Sequence, residues 1–402
     1  MKKFLVQLFI LFVLFNNVVF NTISFPSFFG YWDEIIELIV IFIGFLTLNK
    51  TVQKKYLIIS LLLIIMLILA LMGNLIFEYV PTMNAIFRDV IGFLKFPIIL
   101  MILKKINYDD SVNKFIDNKF IRFIKFIILI IFIGGVISIF KDIGLSQNEI
   151  RNGLKPYKFL FSHPTYLVLT SVFLLIFIDS WNYKNDKKGF IYQFMLLIVI
   201  ALTMRTKGII IAALYIFIKY AGNWLKRLKF FYWIGTFFVA FFAAYQKLHL
   251  YASYTSSPRE ALYKGSILLA NKCFPFGSGF ASFASHISAT SGSKVYEFID
   301  IPYYWVENGN KYAVLGDAGL AYYIGQFGYL GFIIFVIVMF SIYKMTLKDT
   351  QNKLPVKIMW LYLIIAITSE SILINNGIEL CLMLLLICGM NKTNDKINVK
   401  GE

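Results

Sequence analysis

The sequence predicts an all-α, polytopic membrane protein with about 12 transmembrane helices and one long extracytoplasmic loop that contains short helices. Of its 402 residues, 59% are hydrophobic and only 15% are charged, whereas soluble domains are closer to half apolar and a quarter charged. The apolar residues also come in runs of about 18–22, which is the length needed to cross about 30 Å of hydrocarbon. Composition and run length therefore point to the same fold class.

Twelve apolar stretches are candidate spans, and each is predicted to be helical because backbone polar groups in lipid must be satisfied within the segment. They lie at about 4–20, 34–49, 56–74, 84–103, 121–140, 159–179, 190–204, 208–221, 230–246, 318–343, 357–373 and 377–390. The first resembles a signal peptide, but it lacks a small-residue cleavage site and more spans follow, so we expect it to remain uncleaved. Residues 1–402 are accordingly predicted to form a single integral membrane domain.

Lysine and arginine residues are distributed unequally between the two sets of loops. One set, which includes both termini, holds 25 of the 39 basic residues, and the other set holds 14. Cytoplasmic loops carry the excess of positive charge, so both termini are predicted to be cytoplasmic and residues 247–316 to lie outside. The net charge of +17 is thereby explained as an orientation signal, and we expect membrane lipid rather than nucleic acid as a partner.

The three cysteines and three histidines show no spacing typical of a disulfide framework or a metal site. No metal or other cofactor is expected. His163, at the start of the sixth span, and His286, in the long loop, are each either ordinary polar residues or substrate contacts.

The stretch from Pro258 to Gly331 is the longest region polar enough for chemistry. The run Ser256-Ser257-Pro258 predicts the start of a helix, which we expect to lie on the membrane surface or on the helix bundle. The glycine-rich segment Pro275–Gly279 predicts a sharp turn after it. Long loops in compact proteins are commonly functional.

Three cations are the strongest candidates for an anion site. Arg259 lies at a predicted helix N-terminus, where a permanently charged guanidinium can bind phosphate or pyrophosphate; the alternatives are an ion pair with Glu260 or a lipid-headgroup anchor. Arg205 and Lys207 occupy a tight turn on the outer side, contrary to the positive-inside tendency. Cations near membrane depth tend to face an anion or a polar cavity, although both side chains could instead extend to headgroups.

Asp317 precedes the tenth span between two glycines, and it is either a general base for a sugar hydroxyl or a helix cap. Arg151 is one of the outer cations that orientation does not explain. Tyr263 belongs to a set of aromatic residues in the long loop, which stack on sugars or anchor at the interface.

Two further charged positions enter the fourth span. Arg88 and Asp89 are expected to form a local neutralised pair, with Arg88 also a candidate substrate contact. Lys95 is predicted to be buried within the span, where it needs an anionic partner or a water-filled cavity. Glu78, Asp33 and Glu34 are the available acids, and the sequence does not choose among them.

The motifs resemble those of the O-antigen polymerase and ligase superfamily. Arg259-Glu260-Ala261-Leu262, then Pro275-Phe276-Gly277-Ser278-Gly279-Phe280, then Asp317 leading to the glycines of 325–331, are similar in order and location to the large-loop signature of that family. The turn Arg205-Thr206-Lys207-Gly208 resembles its earlier arginine motif, and Ser162-His163-Pro164 resembles a short motif at the start of a preceding span. The likeness in motifs covers about 155–335.

The resemblance implies an inverting, metal-independent membrane glycosyltransferase with a GT-C-like layout in the bacterial cytoplasmic (inner) membrane. Its donor would be an oligosaccharide on undecaprenyl pyrophosphate, and a chain-length regulator would be a further partner. Arg205 and Arg259 would hold the departing pyrophosphate and Asp317 would be the base. Lys207, His163, Arg151, Arg88, His286 and Tyr263 would contact substrate.

Ligases of this superfamily resemble one another in a histidine just before the closing helix, where this chain has Gly316-Asp317. The departure favours a polymerase of O-antigen, capsule or exopolysaccharide repeat units. A ligase-type transferase and a lipid-linked oligosaccharide flippase are the alternatives. A flippase would be expected to carry charges along the middle of many spans and to show repeat symmetry.

Overall fold

The structure, a computed structural model, describes residues 2–23, 26–47, 54–106, 114–151, 153–185, 190–221, 258–299, 315–316, 318–348 and 350–391. Regular secondary structure in these ranges is helical, with isolated β-bridges such as Ser146–Tyr157 and Arg151–Leu154. The fold class is therefore that of an α-helical membrane protein, as the sequence predicts.

The helices are α1 (Lys2–Thr22), α2 (Trp32–Leu46), α3 (Lys54–Phe77), α4 (Met83–Lys105), α5 (Asn118–Phe140), α6 (Pro164–Lys184), α7 (Ile191–Leu202), α8 (Thr206–Ile216), α9 (Pro258–Lys272), α10 (His286–Thr290), α11 (Gly319–Leu347), α12 (Lys353–Ile367), α13 (Ile372–Asn375) and α14 (Gly377–Met390). Two 3₁₀ segments, Ser27–Tyr31 and Lys294–Glu297, and a π-helical turn, Phe217–Ala221, complete the described helices.

Eleven of the predicted spans coincide with helices, and the ninth, at 230–246, lies outside the described residues. Five helices are long and apolar enough to cross a membrane by length and composition: Lys3–Thr22, Lys54–Phe77, Asn118–Phe140, Pro164–Lys184 and Gly319–Leu347. Several of the others are shorter than a bilayer crossing requires, such as α7 with 12 residues, which extends only about 18 Å at 1.5 Å per residue. The total of 12 crossings thus stays a prediction.

Helix α6 forms the centre of the bundle. It contacts α1, α7, α8, α12 and α14, and nearly every residue from Leu167 to Asn182 is buried. Apolar side chains on all sides of a helix are typical of a segment surrounded by other helices. The loop before α6 and the turn before α8 are thereby brought to the same end of the bundle.

Helix α9 packs along α11, and the turn after it is inserted into a kink of that helix. The N–H groups of Ser278 and Gly279 donate to the carbonyls of Gly325 and Gln326 at 3.1 and 3.0 Å. Gly328 interrupts α11 with a φ of +65°, and a Cβ on Gly277 would collide with the backbone there. The predicted turn at Pro275–Gly279 is confirmed, and its glycines permit contact between two backbones.

The outer face of α9 differs from the face that packs on α11. Leu262 and Leu269 are buried, whereas Ile267 and Leu268 are 50% and 46% exposed beside lysines 264 and 272. This pattern combines the two predicted placements, because one face rests on the bundle and the other is amphipathic in the manner of an interfacial helix.

Lys95 is buried in α4 and pairs with acids at the start of α2. Its Nζ lies 2.5 Å from Asp33 Oδ2 and 3.5 Å from Glu34 Oε1. The predicted need for an anionic partner is confirmed, and two of the three available acids supply it. Glu78, the third, is exposed at the end of α3.

The predicted pair between Arg88 and Asp89 is wrong. Asp89 Oδ2 accepts hydrogen bonds from the Ala281 N–H at 2.8 Å and the Tyr322 hydroxyl at 3.1 Å. Arg88 is exposed. Consecutive residues on a helix point in directions about 100° apart, so one side chain enters the protein and the other leaves it.

Candidate functional site

Arg205 lies in a tight turn between α7 and α8 and is held from two other segments. Its Nη2 donates to Gln147 Oε1 at 2.7 Å and lies 2.8 Å from Nε2 of His163. Met204, immediately before it, has a φ of +51°, a backbone conformation that non-glycine residues rarely adopt. Such strain persists only where the surroundings impose it, and it often occurs at functional positions.

His163 is the residue immediately before α6, and its ring lies beside Arg205. Burial, followed by the positive charges of Arg205, Lys207 and Arg151, lowers the pKa of His163 to about 4, with Glu149 acting in the opposite direction. The imidazole is therefore neutral at physiological pH.

A neutral imidazole carries one proton, so only one of its nitrogens accepts at a time. Nδ1 of His163 lies 3.3 Å from the Thr165 N–H, a longer contact than the one between Nε2 and Arg205. The shorter contact favours Nε2 as the acceptor. His163 then acts as a support for the guanidinium.

Lys207, in the first turn of α8, is paired with Glu370. The Lys207 residue is only 6% exposed, and its Nζ contacts Glu370 Oε1. Glu370 lies in the turn after α12, and its side chain keeps 22% of its surface exposed. The pair therefore joins the start of α8 to the end of α12 and remains partly open on the carboxylate side.

Helix α9 brings Arg259 and Tyr263 to the same place. The Tyr263 hydroxyl donates to the Thr368 carbonyl at 2.7 Å, two residues before Glu370. Arg259 lies four residues before Tyr263 and so on the same face of α9, near enough for its charge to act on both Tyr263 and Lys207. Burial raises the pKa of Tyr263 to about 12, with Arg259 opposing the shift, so this phenol is neutral and available for hydrogen bonding.

The segment around Asp317 meets the same turn. The N–H of Ser371 donates to the Gly316 carbonyl at 2.9 Å, and a Cβ on Gly319 would collide with the Glu370 carbonyl. Asp317 itself lies outside the described residues. Its role as base or cap is still a prediction, although its described neighbours on both sides contact the turn that holds Glu370.

Arg151 lies at the edge of this group. Its guanidinium contacts both carboxylate oxygens of Glu149 at 2.9–3.0 Å, and its charge reaches His163. It is 36% exposed along its side chain. Arg151 therefore adds positive charge near the site while already forming an ion pair.

Two predicted substrate contacts are placed elsewhere. His286 is exposed at the first position of α10, a helix that packs near α4. Arg88 is exposed on α4 itself. No described contact joins either residue to the group formed by Arg205, Lys207, Arg259 and Glu370, which we call the cationic cluster.

Glu370 and Gln147 are the members of the site that sequence reasoning missed. Glu370 was included in the predicted eleventh span, at 357–373. An acid inside an apolar span is itself a signal of function, and that signal could have identified it. Gln147 carried no comparable signal, because an uncharged amide in a loop is ordinary.

The cationic cluster holds three cations and one carboxylate, so its net charge is positive. A guanidinium offers a planar set of donors suited to phosphate oxygens. In the described part of the chain, no three His, Cys, Asp or Glu side chains are grouped as a metal ion would require. Chemically, the described groups can bind an oxyanion and exchange a proton through Glu370.

A cavity of about 320 Å³ lies beside the turn that precedes Arg205. It is bordered by Met204, next to Arg205, and by Lys141, Asp142, Lys155 and Tyr157. Ligand pockets range upward from about 300 Å³. This volume, with its hydrogen-bonding groups and the two aromatic rings of Phe140 and Tyr157, suits a small polar group such as a sugar.

Comparison with known proteins returns no match: no family model fits the chain, and neither the curated proteins nor the solved structures contain a significant relative.

Proposed function

We propose that this chain is a polysaccharide repeat-unit polymerase, a membrane glycosyltransferase that uses an oligosaccharide carried on undecaprenyl pyrophosphate. The observation that carries the proposal is the cationic cluster. Arg205, Lys207 and Arg259 come from two distant parts of the sequence and meet at one end of the helix bundle. Their convergence supports a site for a multiply charged anion at the membrane surface.

The chemistry of glycosyl transfer supports the same assignment. As the sugar leaves its carrier, negative charge develops on the pyrophosphate oxygens. Fixed cations aimed at that position stabilise the transition state more than the ground state, and each such donor is typically worth 10²–10³-fold in rate. Arg205, held by Gln147 and His163, is oriented before substrate arrives.

The predicted topology gives the site a location. The ends of α7 and α12 and the starts of α6, α8 and α11 all fall on the side that charge distribution assigns to the outside. A lipid-linked donor in the outer leaflet would present its pyrophosphate at this level. The cavity beside Met204, the residue before Arg205, offers space for a sugar.

The amphipathic outer face of α9 supports contact with lipid. Ile267 and Leu268 are exposed between lysines 264 and 272, an arrangement typical of helices at the interface. Arg259 lies at the start of the same helix. A carrier lipid entering along α9 would therefore reach the cationic cluster.

The test is polymer formation by the purified, full-length protein supplied with a lipid-linked repeat unit. The wild type is expected to produce a ladder of products on the carrier lipid. Arg259→Ala should remove the ladder, whereas Lys294→Ala, an exposed cation in the same loop, should not. A full ladder from Arg259→Ala would exclude Arg259 from the pyrophosphate site.

A deletion strain separates polymerase from ligase. Loss of a polymerase should leave single repeat units that still reach their final acceptor. Loss of a ligase should instead leave long chains on the carrier lipid. Accumulation of long carrier-linked chains would refute the polymerase assignment and retain the transferase class.

A further inference from the structure

We infer that Glu370 is the general base of the transfer reaction, and that it is released from Lys207 when the donor pyrophosphate binds. This inference rests on the proposed function. It assigns to a described side chain the role that the sequence assigned to Asp317.

The position of Glu370 suits it to act as a base. Its turn is fixed by Tyr263 from α9, by Gly319 at the start of α11 and by Gly316. Of the charged members of the cationic cluster, Glu370 alone is an acid. Its side chain also keeps 22% of its surface exposed, so a molecule bound at this end of the bundle can reach the carboxylate.

The pairing of Glu370 with Lys207 explains how donor binding would release the carboxylate. Lys207 is almost fully buried, and its Nζ contacts the Glu370 carboxylate. Without substrate, Glu370 is thus the anion that offsets the buried cation, and a buried cation without such a partner is costly. A pyrophosphate carries at least two negative charges and competes for the same Nζ.

This competition would change what the carboxylate is bonded to. Once Glu370 no longer contacts Lys207, the lone pairs of its oxygens are free to accept a proton from another group. Donor binding would draw Lys207 toward the phosphate oxygens and leave Glu370 beside the sugar acceptor. The base would then become active only in the complex that needs it.

The reaction balances with these groups alone. The oxygen of the acceptor hydroxyl forms a bond to the anomeric carbon of the donor sugar. The bond from that carbon to the pyrophosphate oxygen breaks, and its electron pair leaves with the carrier pyrophosphate between Arg205, Lys207 and Arg259. The hydroxyl proton passes to the Glu370 carboxylate.

The competing groups are Asp317 and His163. The ring of His163 is engaged with Arg205 through Nε2, and it lies among positive charges that oppose protonation. It is therefore a poor proton acceptor. Asp317 is the rival that the experiment must separate from Glu370.

The decisive variant is Glu370→Gln in the full-length protein, with Glu297→Gln as the matched control because Glu297 is an exposed acid of the long loop and no described contact joins it to the cationic cluster. Transfer rate and binding of the intact lipid-linked donor are measured separately. Glu370→Gln should lower the transfer rate by at least 10²-fold, as expected for a general base. It should bind the donor as tightly as wild type or more tightly, because the competing anion is gone.

A structural role predicts the opposite combination. If Glu370 only held Lys207 in place, Glu370→Gln would weaken donor binding together with the rate, and that result would overturn the inference. Glu370→Asp, which keeps a carboxylate, should retain more activity than Glu370→Gln; equal loss would also count against it. Thermal unfolding of each variant identifies any failure to fold.

Asp317→Asn completes the test. If Asp317→Asn abolishes transfer while Glu370→Gln does not, the base is Asp317 and the inference fails, although the proposed function stands. If the wild-type protein forms no glycosidic product from any lipid-linked donor, the proposed function fails itself. The two failures are thus distinguishable.

Discussion

Replacing Lys95 with methionine tests the burial of charge in this bundle. The side chain of Lys95 is 5% exposed, and those of its partners Asp33 and Glu34 are 20% and 38% exposed. Methionine has a similar length and no charge. The substitution therefore removes the positive charge with little change in packing, and it leaves Asp33 and Glu34 without their cationic partner.

The expected loss of stability is set by how exposed the partners are. Removing one member of a fully buried pair costs about 3–5 kcal/mol, whereas an exposed pair contributes about 0–1 kcal/mol. Lys95 is buried and its partners are partly exposed, so we expect a loss of about 2–3 kcal/mol. At about 1.4 kcal/mol for each factor of ten, the ratio of unfolded to folded protein rises about 30- to 150-fold.

The assay is denaturant-induced unfolding of the purified protein in micelles. The double variant Lys95→Met/Asp33→Asn should recover at least about 1 kcal/mol relative to the sum of the single changes, since the two side chains are in contact. Lys348→Met, the same change at an exposed position, is the control. A Lys95→Met protein within about 0.5 kcal/mol of wild type, the range of ordinary surface changes, would refute the reasoning.

Four further predictions concern the site. Arg205→Lys should lower polymer formation about 10²-fold, because one ammonium does not reproduce a planar fork; wild-type chain lengths would remove Arg205 from the site. The pKa of His163 is lower in the folded than in the unfolded protein, so the free energy of unfolding decreases as pH falls from about 6.5 toward about 4. In His163→Gln, the free energy of unfolding should depend less on pH in this range. An unchanged slope would contradict this prediction. Gly319→Ala should cost about 1–3 kcal/mol by overpacking, measured by the same unfolding assay, and neutrality would mean that the contact with residue 370 is loose. A reporter inserted after Gly292 should signal from outside the cell, and a cytoplasmic signal would overturn the predicted topology.

The sequence predicted the helices well because hydrophobic run length is a local property. It also offered Glu78, Asp33 and Glu34 as possible partners of Lys95. The choice of Asp33 and Glu34 required knowing that α2 packs on α4, which no local pattern shows. Glu78, equally acidic, lies at a helix end that turns away.

Residues that are adjacent in the sequence can lie on different faces of a helix. Arg88 and Asp89 looked like a pair because they are adjacent, and the helix directs them to different faces. Glu370 shows the reverse case, in which residues far apart in the sequence are in contact, and it falls within the predicted span at 357–373. It is distant from Lys207 in sequence, and only the packing of α12 beside α8 brings the two together.

The glycine contact between the turn at Pro275–Gly279 and the kink of α11 has a mechanical consequence. Helix α9 has 15 residues, so it spans about 22 Å between that contact and Arg259. The far end is anchored by Tyr263 to the Thr368 carbonyl. A methyl group added at Gly277 would displace the C-terminal end of α9. Because Tyr263 holds the helix near its other end, α9 would tilt, and the guanidinium of Arg259 would move although no residue next to it had changed. A loss of activity from this remote substitution would then result from misalignment of α9 and not from the loss of a group that takes part in the chemistry.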